Sequence, residues 1–345
     1  MSTSERVLVA MSGGVDSSVA AALLLDQGHD VTGVTLKLWG GESDSGCCSV
    51  ADVEDARRVA AQLDIPHYVF NLTDTFDDMV VEPYVREHEA GRTPNPCVEC
   101  NRSIKFGALF RRAEALGFDA VATGHHARVT AESHGSYALR RGTDDAKDQS
   151  YVLYMLGQRE LARTRLPVGV LTKAQVRAHA ARLGLRTAAK PESMDVCFIT
   201  RGGRRSFLAE RIDARAGSVV DVDGATLGVH DGIESFTIGQ RRGLGVATGQ
   251  RRYVVDVDAR TATVTLGERT DLLRGSVALR DLTYVDAPCI GRADLFAQTR
   301  AHGTPVASAF DGATVHFAAP QPRVAPGQVV ALYAGDALVG GGIAR

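Results

Sequence analysis

No run of about 20 apolar residues, the length a helix needs to span a bilayer, occurs anywhere in the chain. Nor does the sequence begin with the basic, apolar and small-residue layout of a secretory leader. A cytoplasmic protein with no membrane partner is expected. Neither sign of charge dominates. Lys and Arg number 39 against 41 Asp and Glu, so the whole chain is no electrostatic magnet for nucleic acid. Local basic clusters remain at Arg201, Arg204 and Arg205, at Arg241-Arg242 and at Arg251-Arg252, but each alone reads as a solvated face. Six cysteines in 345 residues are too few for a disulfide scaffold, and point instead to metal binding or catalysis. No internal repeat or low-complexity segment stands out.

What is present is an ordinary globular composition, 44% hydrophobic and 23% charged, on a chain longer than one compact core allows. Two or three domains are expected. Up to about residue 202 strand-like and helix-like segments alternate: apolar Val7 to Met11, Val31 to Leu38, a helical face over Asp52 to Leu63, strands at His67 to Leu72 and Ala120 to Thr123, and a helix over Ile104 to Leu116. Thr172-Lys173-Ala174-Gln175 is a capping-box signature for a helix ending near Gly184. This order predicts an α/β domain with a parallel sheet, whose ligands bind at the carboxyl ends of the strands. Beyond Gly202, short β-branched runs alternate with Asp-Gly turns: Ser218 to Val222, Arg252 to Val257, Thr261 to Leu266, Ser276 to Leu282, Ala313 to Phe317 and Gln328 to Tyr333. The expected division is residues 1–202 (an α/β unit), 203–274 (a small central β-rich unit) and 275–345 (a C-terminal β-barrel).

Ser12-Gly13-Gly14-Val15-Asp16-Ser17-Ser18 follows the first apolar run directly. It predicts a strand, a glycine turn and a helix opening on Ser17. Glycines let the backbone approach a ligand, and a helix N-terminus aims free N–H groups and partial positive charge at it. That is a phosphate site. No Gly-Lys-Ser/Thr follows, so it is not a Walker loop, and no lysine within it reaches a terminal phosphate. Ser-Gly-Gly-x-Asp-Ser instead resembles the pyrophosphate loop of ATP-pyrophosphatases, in which the Ser12, Ser17 and Ser18 hydroxyls hold phosphates and Asp16 acts through Mg²⁺. The plainer alternative is a strand-to-helix turn with Asp16 as a capping acid.

Cys97 and Cys100 form a C-x-x-C between Pro94, Pro96 and Asn101. The prolines predict a rigid loop rather than a helix. A zinc site would need a second matching pair, which the adjacent Cys47-Cys48 is not. A local dithiol is a second reading, and partnership with a distant cysteine a third. Cys197, after Lys190-Pro191-Glu192, is a candidate for the last. Its alternative is a buried hydrophobic thiol; Lys190 or Arg201 would favour its thiolate if they faced it.

Six segments occur in one order: Ser-Gly-Gly-Val-Asp-Ser-Ser (12–18), Thr-Pro-Asn-Pro-x-x-x-Cys-Asn (93–101), Ala-Thr-Gly-His-His-Ala-Arg (122–128), Lys-Asp-Gln-Ser-Tyr (147–151), Ser-Met-Asp-Val-Cys-Phe-Ile (193–199) and Thr-Ile-Gly-Gln-Arg-x-Gly-Leu-Gly (237–245). Together they resemble the tRNA-specific 2-thiouridylases over essentially the whole chain. The resemblance implies ATP-dependent 2-thiolation of the wobble uridine (U34) in the anticodon stem-loop of tRNA, with ATP and Mg²⁺ as cofactors. It implies Ala10, Met11, Ser12, Gly13, Gly14, Val15, Asp16, Ser17, Leu36 and Gly124 as the nucleotide site. It makes Cys100 the nucleophile and Cys197 the persulfide carrier, a pair that ends as a disulfide. His125, Lys147, Asp148 and Gln149 would contact tRNA. A persulfide donor such as a cysteine desulfurase or sulfur-relay protein is implied, and a monomer is expected. Cys97 stands where a well-known form of the motif has Asp, so the acid's role falls to Glu99, a water or Cys97, and a Cys97–Cys100 disulfide becomes a competitor. Two other readings carry weight: a small-molecule ATP-pyrophosphatase ligase or amidotransferase relative, although no glutaminase motif is visible, and a zinc-bound RNA-binding module without catalysis.

Overall fold

A computed structural model describes residues 4–38, 49–191, 196–199, 203–247 and 249–345. Its first sheet is built from β1 (Arg6–Ala10), β2 (Asp30–Lys37), β3 (His67–Asn71), β4 (Ala120–Ala122) and the short β7 (Thr164–Arg165), in the order β3-β2-β1-β4-β7. Every pairing is parallel. Side chains alternate faces along β1. Val7 and Val9 enter one core with α1 (Val15–Asp26) and α2 (Val50–Gln62), while Leu8 enters a second core on the opposite face. Each such side chain removed from water contributes about 1.5–3 kcal/mol. Burial on both faces is why β1 is a continuous apolar run. α2 opens on the capping box of Ser49 and Asp52. The expected capping box at Thr172 and Gln175 likewise opens the helix Lys173–Arg182.

The central unit is a four-stranded sheet of β8 (Gly217–Asp221), β9 (Thr226–His230), β10 (Tyr253–Asp258) and β11 (Thr263–Gly267), ordered β10-β11-β8-β9. It closes over Val219, Val254, Val264 and Leu266.

The last strands are β12 (Leu273–Tyr284), β13 (Leu295–Gln298), β14 (Val306–Phe310), β15 (Thr314–Pro322), β16 (Val329–Ala334) and β17 (Ala337–Ala344). They run β12-β15-β14-β13-β16-β17, and β12 pairs again with β17, closing a six-stranded barrel. The hairpin β5 (Ala127–Ala131) and β6 (Tyr137–Arg141) extends this sheet, with Leu139 of β6 opposite Leu338 of β17. The barrel is therefore joined to the parallel-sheet unit by backbone hydrogen bonds. Beneath the joint lie Phe106, Leu139, Tyr151, Tyr154 and Tyr333 in one buried cluster.

Two local expectations are corrected. α1 begins at Val15, two residues before Ser17, because Gly14 is extended and already serves as the N-cap. The C-x-x-C is helical rather than looped: Pro96–Glu99, Cys100–Ala108 and Leu109–Ala115 run on without a break, the middle stretch with the wider π repeat. Pro96 occupies N1, the one helical position where its missing N–H costs nothing. Asn95 caps it, its Oδ1 accepting from the N–H groups of Cys97 and Val98.

Candidate active site

The phosphate loop sits at the carboxyl edge of β1. Gly13 has φ +70°, and a Cβ there would lie 2.3 Å from the Asp52 carbonyl oxygen; only glycine satisfies both constraints. Gly124, just after β4, brings that strand end against α1. A Cβ on Gly124 would lie 2.6 Å from the Ser17 nitrogen. The first and later strands thus meet in one crevice, as the alternating order predicts. Ala10 and Met11 lead into the loop, Val15 opens α1, and Leu36 lies on the neighbouring β2. Met11 is buried under the loop, its N–H bonded to the Val34 carbonyl and its carbonyl accepting from Thr35 Oγ1.

The serines divide their work differently from the sequence reading. Ser12 is exposed on the loop. Ser17 Oγ accepts from the Ser12 N–H at 3.2 Å and donates to the Gly14 carbonyl, which fixes the turn. Ser18 is fully buried and donates to the same carbonyl at 2.8 Å. Its hydroxyl shapes the loop and does not face a phosphate.

Asp16 faces two hydrogen-bond donors, Lys173 and His126, that sequence reasoning missed. Lys173 Nζ lies 2.7 Å from each of its carboxylate oxygens, and His126 Nε2 donates across 3.1 Å. Burial alone would raise the Asp16 pKa, but the hydrogen bonds from His126 and Lys173 outweigh it and hold the carboxyl below its usual value. A second lysine, Lys190, donates to the Gly13 carbonyl at 2.9 Å, to Asp52 at 2.6 Å and to Asp55 at 2.7 Å. The loop that lacks a lysine in sequence acquires two in space. Lys190 is turned toward the phosphate loop, so the expectation that it steers the Cys197 thiol is replaced. Arg201 lies outside the described residues, as do Cys47 and Cys48.

The cradle fits a nucleotide triphosphate: two close approaches that a Cβ would fill, a helix N-terminus, and two ammonium groups within the loop's reach. For Mg²⁺ the loop offers one carboxylate, Asp16, which fits an ion held by one side chain and phosphate oxygens. Both Asp16 oxygens are occupied by Lys173, so the ammonium must yield part of that contact. Among the described residues, no group of three or more His, Cys, Asp or Glu is placed to hold a metal.

Cys100 is buried in the second core together with Tyr84, Ile104, Phe76 and Phe198, and Cys197 packs against that same cluster. Phe198 anchors it, with ring centroids 5.7 Å from Phe76, 5.4 Å from Tyr84 and 5.2 Å from Phe207. The two distant cysteines are thereby brought to one cluster. Glu99 is committed elsewhere: Ser103 donates to it, and Arg102 lies 3.5 Å away. The start of the cysteine helix is tied to the barrel, where Gln328 donates to the Thr93 carbonyl at 2.6 Å and the Thr93 N–H reaches the Pro326 carbonyl.

His125 is buried, bonded through Nδ1 to Thr123 Oγ1 at 2.7 Å. Burial, then the charges of Lys105 and His126, push its pKa well below the ordinary range, so its ring is neutral. Asp148 is only 5% exposed and accepts from Arg141, from the N–H groups of Gly142 and Ser150, and from Ser150 Oγ. Arg141 also stacks over the Tyr333 ring at 3.7 Å. The Asp148 carboxylate therefore holds the loop. Its neighbours Lys147, half-buried, and Gln149, exposed, are nearer the surface. Gln149 clamps His126, its Oε1 accepting from the His126 N–H and its own N–H reaching the His126 carbonyl. Asp144 of the same loop accepts from the Lys173 N–H. The expected RNA loop is thus wired to both partners of Asp16.

Three family models match the chain. Residues 5–201 match the tRNA methyl transferase HUP domain model, 205–268 the tRNA methyl transferase PRC-barrel domain and 275–344 the aminomethyltransferase beta-barrel domain. The tRNA-specific 2-thiouridylase MnmA of Roseiflexus sp. (strain RS-1) is 49% identical over 99% of both chains. That of Herpetosiphon aurantiacus is 47% identical over 98% of this chain and 97% of the relative, and that of Mycolicibacterium paratuberculosis 48% over 96% and 95%.

The chain belongs to the tRNA-specific 2-thiouridylase family.

It is accordingly a sulfurtransferase. The domain models carry methyl transfer in their descriptions, whereas the full-length relatives are named 2-thiouridylases. No helix among the described residues is long and apolar enough to cross a membrane.

Proposed function

We propose that this enzyme converts the wobble uridine, U34, of tRNA to 2-thiouridine at the expense of ATP, releasing AMP and pyrophosphate. The uracil C2 oxygen is a poor leaving group, and adenylation makes it AMP. The loop from Ala10 to Ser17, with Leu36 and Gly124, holds the nucleotide. The α1 N–H groups, Lys173 and Lys190 stabilise phosphate charge where it develops. Mg²⁺, held by Asp16 and phosphate oxygens, would add charge neutralisation there. Cys197 carries persulfide sulfur supplied by a cysteine desulfurase or sulfur-relay protein. Cys100 acts as nucleophile, and the pair ends as a disulfide opened by thiol exchange. His125, Lys147 and Gln149 line the RNA side, where the base must leave its stack to reach the site; Asp148 is their scaffold.

The observation that carries this reading is the convergence of Cys100 and Cys197 on one cluster, which a small-molecule ligase would not need. We retain the division 1–202, 203–274 and 275–345, a monomer, and a cytoplasmic location as parts of the same proposal. Pyrophosphate release from ATP with and without tRNA transcript tests it. Release that requires the transcript supports tRNA thiolation; equal release without it favours a small-molecule substrate.

A further inference from the structure

The cysteine helix carries a third sulfur that the reaction above does not use. Cys97 is the second residue of the helix and Cys100 lies one turn on; the Cys100 N–H bonds back to the carbonyls of Cys97 and Pro96. Residues three apart share a helix face, with Cα atoms about 5 Å apart by helix geometry. That separation is inside the range a disulfide spans. The helix runs on to Ala115, so Cys97 sits in the first turn of a long dipole, which favours an anion.

Cys97 lies near enough to Tyr84 for its charge to act on that hydroxyl. Burial pushes the Tyr84 hydroxyl up to about 12, with the charge of Arg204 opposing and that of Cys97 adding. Tyr84 stacks on Phe198, the residue next to Cys197. Cys100 is the buried member of the C-x-x-C and Cys97 the more accessible one.

We infer that Cys97 is the resolving cysteine of this enzyme, moving the product disulfide from Cys100–Cys197 to Cys97–Cys100. This inference rests on the proposed thiolation. After one sulfur transfer Cys100 and Cys197 are joined. The Cys97 thiolate, its proton given to solvent, attacks Cys100 Sγ. The Cys97–Cys100 bond forms, the Cys100–Cys197 bond breaks, and Cys197 departs as a thiolate that takes up a proton. No electrons are gained or lost by the protein in this exchange. A dithiol reductant of the thioredoxin class then supplies two electrons and two protons to the C-x-x-C and is itself oxidised to its disulfide. The persulfide carrier is thus freed without the reductant reaching Cys197.

The test uses the full-length enzyme with ATP, a tRNA transcript and a persulfide donor, without reductant, quenched by acid and alkylation and mapped by mass spectrometry. Wild type is expected to show Cys100–Cys197 early and Cys97–Cys100 later, with Cys197 becoming alkylatable. Cys97→Ser and Cys97→Asp are expected to stop at Cys100–Cys197. With a thioredoxin-class reductant present, their steady-state turnover is expected to fall at least roughly tenfold. A wild-type protein that holds only Cys100–Cys197 overturns the inference. So does a Cys97→Ser enzyme that turns over at the wild-type rate, or one that forms neither 2-thiouridine nor disulfide in its first turnover. Failure of the thiolation reading itself is separate: wild type would then yield no 2-thiouridine at all.

Discussion

Lys173 Nζ and the Asp16 carboxylate meet at 2.7 Å through both oxygens, across 157 residues of sequence. The phosphate loop is thereby completed by a residue from the far end of the parallel-sheet unit. The helix that delivers Lys173 is fixed at its start by Thr172, Gln175 and Asp144, so the ammonium is held in place before any ligand arrives.

Replacing Lys173 by Ala removes a charge-assisted hydrogen bond of about 1.5–3 kcal/mol. ATP binding measured by calorimetry is expected to weaken roughly ten- to hundredfold, that energy converted at about 1.4 kcal/mol per decade. Lys173→Arg is expected to recover part of the loss. Unchanged affinity in Lys173→Ala would place the lysine outside the nucleotide site.

Gly124→Ala sets a methyl group 2.6 Å from the Ser17 nitrogen. Overpacking of this kind costs about 1–3 kcal/mol. Thermal unfolding is expected to show that loss, accompanied by reduced ATP turnover. Gly14→Ala is the control, because its nearest neighbour is the Ser12 hydroxyl at 3.5 Å. Its melting temperature is expected to stay near wild type.

β1 and β4 were legible because both of their faces are buried, which leaves continuous apolar runs. The loop at Ser12 was legible because close backbone approach demands glycine. Other features were hidden for physical reasons. Lys173 and Lys190 are ordinary surface residues until folding carries them to Asp16 and Gly13. The helix at Cys97 was obscured by Pro96, a residue that breaks helix interiors but suits the first position. β17 reads as Gly340-Gly341-Gly342, poor strand formers. They are required because a Cβ on Gly341 would sit 2.6 Å from the Val330 carbonyl oxygen. Asp148 shares its motif with Lys147 and Gln149, and only its burial separates a scaffold residue from surface ones.

His88 gives a pH signature. It is 1% exposed, and burial, reinforced by the charge of Arg204 and opposed by Glu87, lowers its pKa to about 3. Between that value and the unfolded value near 6.5, the unfolded chain binds a proton that the fold does not. Its contribution is therefore complete above pH of about 6.5 and is lost as pH falls toward about 3, at about 1.4 kcal/mol per pH unit. His125, also depressed, acts in the same direction. Denaturant titrations across this window are expected to show a shallower acid slope in His88→Phe, by about one proton; an identical slope would contradict it.

The most direct measurement is sulfur transfer itself. With ATP, a persulfide donor and a tRNA transcript carrying the wobble uridine, the account predicts 2-thiouridine from wild type and none from Cys197→Ser, with both proteins folded and binding ATP alike. Equal 2-thiouridine from Cys197→Ser would contradict it.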